Sequence, residues 1–158
     1  MSNPDAQVAN LTTSEAETLH SVRHGFISAN THFLIPKGVF SEYVSQIALC
    51  TIPGTPAWFL GIANHRGETI PVFDLDTAFE AQATPAPRKG VLLLGSHPNT
   101  VGIALRQSPT VLINPEPVDE PATSPELRPF LTESFLVKGQ VWFNVDHHRL
   151  FSDLRARF

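Results

Sequence analysis

The sequence predicts a mainly all-β protein, a small barrel or sandwich, on three observations. About eight to ten short apolar segments recur between turns rich in Pro and Gly. No strand–helix–strand alternation is visible, and a single helical stripe closes the chain. A length of 158 residues suffices for one domain, or for two small subdomains sharing a core. Hydrophobic content of 42% with eleven Phe supplies that core, while only 16% charged residues leave the surface to Ser, Thr, Asn, Gln and Pro. The net charge of −4 argues against nucleic acid or an anionic membrane as partner. A single cysteine, Cys50, excludes an internal disulfide and fits a reducing cytosol. The first 25 residues lack the basic start and apolar stretch of a signal peptide. No apolar run approaches the ~20 residues that span a bilayer. The expected setting is cytoplasmic, without membrane insertion.

Residues 1–22 form a polar tail, in which Ser14 to Glu17 has capping-box spacing. A short helix carrying Leu19 and Val22, or a frayed end, both satisfy that pattern. From His24 the pattern becomes extended: Gly25 to Ser28 and His32 to Ile35 flank a turn at Ala29-Asn30-Thr31. Lys37-Gly38 is a bulge or a second turn before Val39 to Val44. Ile52-Pro53 and Thr55-Pro56 hold the residue before each proline out of the α region, so the chain arrives extended and turning. Trp58 to Ile62 is an apolar run broken by Gly61, where a side chain would obstruct a close backbone approach. Arg66-Gly67 reads as a hairpin turn, and Thr69 to Phe73 restarts as a strand, with Pro71 favouring an edge or a bulge.

Asp76 to Phe79 closes a short helical turn, and Glu80 to Arg88 is loop by composition. Gly90 to Leu94, Val101 to Leu105 and Thr110 to Ile113 read as strands, the first buried. Asn114 to Pro129 carries five prolines, which exclude regular helix and central strand and imply a long exposed connection. Phe130 to Val137, Lys138-Gly139 and Gln140 to Val145 form a hairpin. Asp146 caps a final helix whose Leu150, Phe151, Leu154 and Phe158 make one core-docking stripe.

Few residues suggest chemistry. His147 and His148 beside Asp146, with His65 and Asp74, offer metal-ligand types, but adjacent helical histidines point about 100° apart; solvated first-turn histidines are the expectation. No Ser sits in a strand–elbow–helix context, and no glycine loop cradles phosphate. Cys50 follows apolar residues and is expected to be a packed thiol. The acidic pairs Asp74/Asp76 and Asp119/Glu120 read as a turn exit and a solvated loop. Arg66 stands apart: its five fixed donors either lock the turn through Asn64 or Glu68, or present a fork to a partner's carboxylate or carbonyl. Asn64 and Asp74 are expected to be structural, bonding the turn and the strand end.

The pattern Gly61-x-x-Asn64-x-Arg66-Gly67-x-x-x-Pro71-Val72-x-Asp74-Leu75 resembles the signature of CheW-like domains, the coupling proteins of chemotaxis systems. The approach Ile52-Pro53-x-x-Pro56-x-Trp58 looks like the branch serving type IV pilus, or twitching, systems. The resemblance covers 52–75 closely and 24–50 and 90–105 in part. It implies two small five-stranded SH3-like β-barrels sharing a core, with residues 1–22 as tail and 23–158 as one domain of two intertwined subdomains. It also implies that the signature spans much of one barrel while Gly90 to about Leu112 lies in the other, and it favours the bulge at Lys37-Gly38. Three departures stand out: His65 at a usually apolar position, Leu105 to Pro109 in place of an acidic segment, and the Pro-rich stretch.

The resemblance implies a non-catalytic adaptor without cofactor, bridging a chemoreceptor's cytoplasmic tip and the regulatory domain of a histidine kinase. The partner-binding residues it implies are Asn64, His65, Arg66 and Gly67, beside a groove between barrels for a helical receptor tip. Two other expectations stand against it: a small β-barrel enzyme or metal-binding protein using the histidines, and a stand-alone competitor of the array.

Overall fold

The computed structural model describes residues 21–79, 87–122 and 124–158. The capping-box segment and most of the 80–88 loop lie outside the described residues. Twelve strands follow in order: β1 (Val22–Ser28), β2 (Thr31–Leu34), β3 (Ser41–Val44), β4 (Leu49–Cys50), β5 (Phe59–His65), β6 (Glu68–Phe73), β7 (Gly90–Leu94), β8 (Val101–Leu105), β9 (Thr110–Ile113), β10 (Glu116–Val118), β11 (Leu131–Val137) and β12 (Gln140–Val145). A helical turn, α1 (Leu75–Ala78), follows β6, and α2 (His147–Arg155) follows β12. The strands beyond the expected number include β4 and β10, two and three residues long, too short to leave an alternation in the sequence. Val22 opens β1 rather than closing a helix.

The strands form two six-stranded sheets, β10-β11-β12-β2-β1-β9 and β3-β7-β8-β6-β5-β4. Each therefore holds five strands of at least four residues plus one short edge strand, matching the two five-stranded SH3-like barrels that the resemblance implies. The expected partition of the chain is corrected in one respect. β7 and β8 belong to the sheet of the Asn64–Asp74 signature, because Val72 and Phe73 pair in parallel with Gly102 and Ile103. Only β9 returns to the first sheet, against β1. Lys37-Gly38 is likewise a turn and not a bulge: Val39 N donates to Pro36 O at 3.2 Å, and β2 and β3 lie in different sheets. Pro71 sits in β6, a central strand, not an edge. The register with β8 begins only at Val72, so the proline's missing donor falls where that ladder has not started.

Period-two alternation explains how thin sheets yield so many buried residues. Leu92, Leu94, Ile103 and Leu105 turn to a large shared cluster; Val91, Leu93 and Ala104 turn to a second cluster with Ala63, Ile70 and Val72. The shared cluster joins Phe26 and Phe33 of the first sheet, Phe73 of the second and Leu150, Phe151 and Leu154 of α2. The helical stripe thus docks as expected, except that Phe158 is 61% exposed, its ring lying against Trp58 and Phe59. A third cluster, Leu34, Leu112 and Trp142, belongs to the first sheet alone. Gly61 has φ +132°, and a Cβ there would lie 2.3 Å from Cys50 O, which is the close approach that the sequence suggested.

The expectation of solvated histidines holds for His148 and fails for His147, which is 4% exposed. Its Nε2 has no hydrogen-bond partner among the described residues. Burial first, then the neighbouring His148, holds its pKa below the usual histidine value, against the pull of Asp146. A histidine whose pKa is lowered by folding takes up its proton more readily when unfolded. Stability should therefore fall as pH drops below about 6.5. Urea unfolding between pH 7.5 and 5.5 should show this slope, and His147→Gln should flatten it. An unchanged slope in the variant would assign the effect to another group, His32 being lowered by burial in the same direction.

Candidate functional site

The β5–β6 hairpin turns on two residues in the left-handed region, Arg66 at φ +51° and Gly67 at φ +78°. This is the backbone of a two-residue hairpin loop. It projects the Arg66 side chain beyond the sheet, where the fork closes on neither Asn64 nor Glu68. Its two terminal nitrogens donate to the Glu42 carboxylate at 3.0 and 2.8 Å. His65 Nε2 approaches the same carboxylate at 3.4 Å. Glu42 lies on edge strand β3, separated from β5 by the three strands β7, β8 and β6 in the ladder order. The Arg66–Glu42 fork therefore ties the rolled sheet together across its open end. With 72% of the Arg66 side chain exposed, solvent screens the pair, and little folding energy rests on it.

Asn64 is exposed opposite Thr69, and its amide makes no hydrogen bond among the described residues, contrary to the structural role expected for it. Behind the fork opens a cleft of about 460 Å³. Buried Ile70 and Leu93 form its floor, and Phe40, 60% exposed, stands at its rim. Glu68 also lines it, with Oε1 buried and without a hydrogen bond among the described residues; His97 Nδ1 stands 3.4 Å away. A floor of aliphatic carbon beside an exposed aromatic and a presented guanidinium suits a protein side chain. Glu42 and Phe40 were legible only as strand residues; their partners lie across the sheet.

Asp74 is the structural residue of the signature. It is fully buried and caps α1, its Oδ1 accepting from Thr77 N at 3.4 Å. Arg88 donates to Oδ2 through Nε and a terminal nitrogen at 3.0 and 2.7 Å, and Arg106 reaches both oxygens at 3.3 Å. Arg106 also pairs with Asp76, whose Oδ1 accepts from Ala29 N at 2.6 Å. Burial would raise the Asp74 pKa, but the hydrogen bonds and charges of the two arginines outweigh it and hold the carboxyl below its usual range. The turn exit expected for Asp74 and Asp76 is therefore a buried ionic knot. Arg106, which departs from the acidic pattern of the resemblance, is part of it.

Cys50 is exposed on edge strand β4, not packed as expected, because that two-residue strand faces solvent at both positions. Among the described residues no three His, Cys, Asp or Glu side chains gather so as to hold a metal ion. His147 and His148 stack on one another at 4.1 Å, far from His65 in the sequence and in a different element. No helix among the described residues is long and apolar enough to cross a membrane.

The family model described as CheW-like domain matches residues 25–155. Protein PilI of Pseudomonas aeruginosa is 27% identical over 73 residues, 46% of this chain and 41% of that protein. Protein FrzA of Myxococcus xanthus is 34% identical over 102 residues, 57% of this chain and 63% of that protein. The chain thus spans less than two thirds of the length of either relative. Among solved structures, the scaffolding protein TtCheW from Thermoanaerobacter tengcongensis matches with a TM-score of 0.63. The match covers 79% of this chain and 88% of that one at 20% identity, a likeness of fold.

Proposed function

Since the chain belongs to the CheW-like domain family, we propose that it is a non-catalytic adaptor of a chemotaxis-type signalling system. It couples a chemoreceptor's cytoplasmic tip to the regulatory domain of a histidine kinase. Similarity to PilI supports placing it in a system that drives type IV pili. The proposed boundaries, a tail to residue 22 and one domain of two intertwined barrels over 23–158, shift by one residue at their joint, since Val22 already pairs with Ile113 in β1. The observation that carries the docking role is the exposed Arg66 fork beside the Phe40 cleft at the open end of the second sheet. Arg66, His65 and Gly67 border that cleft, and Asn64 stands exposed next to them.

Binding of receptor-tip peptide bundles and of the isolated kinase domain tests this role. Arg66→Glu sets two carboxylates face to face and should weaken at least one partner by about 2–5 kcal/mol. Its melting temperature should stay within a few degrees, since the pair is screened. The exchange of both residues, Arg66→Glu with Glu42→Arg, separates the two roles of the fork. Restored binding would make it a strut only, and the docking role would fall. Kinase activity with receptor present separates an adaptor, which raises it, from a competitor, which lowers it.

A further inference from the structure

A second cleft lies on the other sheet, beside the Pro-rich stretch. That stretch is the exposed connection its prolines imply, but part of it is paired to the sheet. Glu116, Pro117 and Val118 pair with Leu136, Phe135 and Ser134 as edge strand β10. The Ser134 hydroxyl then donates to Val118 O at 2.7 Å and accepts from Glu120 N at 3.2 Å. Arg128 Nε holds Ala122 O at 2.8 Å. The strap is therefore held to β11 along 116–120 and to Arg128 at Ala122, and it borders a cleft of about 600 Å³.

Val118, Leu131, Phe135 and Phe143 give this cleft an apolar lining. Asp119, Glu120 and Glu133 line it as well, against one guanidinium, Arg128. Glu133 is partly answered from behind, since it accepts from Asn144 Nδ2 at 3.1 Å and Asn144 accepts from buried Arg23. The carboxylates of Asp119 and Glu120 have no side-chain partner among the described residues and face open water. An apolar floor under an uncompensated anionic rim selects a ligand that is apolar at its base and cationic beside it.

We propose that this strap-bordered cleft is a second docking surface, and that its occupant is a segment of another protein presenting an apolar side chain next to Lys or Arg. It lies on the first sheet, whereas the Arg66 cleft lies on the second, so the two surfaces are tested independently.

The probe is a capped, fluorescent peptide of alternating lysine and leucine, with a glutamate–leucine peptide as control, titrated into the full chain. Binding of the lysine peptide should move backbone amide resonances of 118–122 and 131–135 and leave those of 64–68 in place. Asp119→Lys with Glu120→Lys should weaken it at least tenfold, whereas Asp153→Lys on α2 should not. Ser134→Ala, which frees the strap without removing charge, should alter affinity while melting normally. Equal loss in the Asp153→Lys variant would mean attraction to net charge only and would overturn the site. Shifts confined elsewhere would do the same. Self-association of the protein that disappears in the double variant would make a second copy the occupant and overturn the partner assigned.

Discussion

Replacing Asp74 by Ala should cost about 3 kcal/mol of stability, near the lower end of what removing one member of a buried ion pair costs. For a chain of this length that is a fall in melting temperature of about 6–12 °C. The loss has two sources. Arg106, 20% exposed, keeps Asp76, but Arg88 is left with no carboxylate among the described residues, and α1 loses its cap. Arg88 is 45% exposed and will recover water, which holds the estimate to the lower end. Asp74→Asn retains an acceptor for Thr77 N and should lose roughly half as much. Urea denaturation at pH 7 measures both, and a cost below about 1 kcal/mol for Asp74→Ala would show that the arginines hold nothing together. The sign with pH follows from the lowered carboxyl: the stabilisation is present above the unfolded aspartate pKa and is lost as pH falls through the folded one. The variant should therefore lose less stability than the wild type in the acid range.

Trp142→Ala should cost ~3–5 kcal/mol, the range for deleting a buried aromatic. The indole is 5% exposed and packs with Leu34 and Leu112 in the first sheet's own cluster, its residue opposite Phe135 across the β11–β12 hairpin. It lies over Gly25: a Cβ at that position would meet the ring at 2.6 Å and Phe33 O at 2.8 Å. Gly25→Ala should therefore destabilise on its own, and the two costs should not add, because Trp142→Ala removes the ring contact and leaves only the carbonyl one. Chemical denaturation of the two single variants and the double variant closes that cycle. Strict additivity would mean that the ring does not rest on Gly25.

What the residues could announce locally, they did. The hairpin at Lys138-Gly139, the Asp146 cap, the buried run Gly90 to Leu94 and the turn at Arg66-Gly67 are each written in neighbouring residues, through φ preference, capping geometry or alternation. The spacing from Gly61 to Leu75 carried the family, and with it the barrels. What tertiary structure alone decided is which strands share a sheet and which charges meet. β8 joins β6 by a parallel pairing that no turn encodes, so the Gly90 to Leu105 strands could not be assigned to the signature's sheet in advance. Glu42 finds Arg66 over 24 positions, and Arg106 finds Asp74 over 32. Ser134 pins a proline strap that composition gave only as a long exposed connection. Dihedral and capping preferences act within a few residues, but ion pairing and burial depend on distances set only when the sheets roll up. For that reason the fold could be read from the chain, while Glu42, the ionic knot and the strap-bordered cleft required the coordinates.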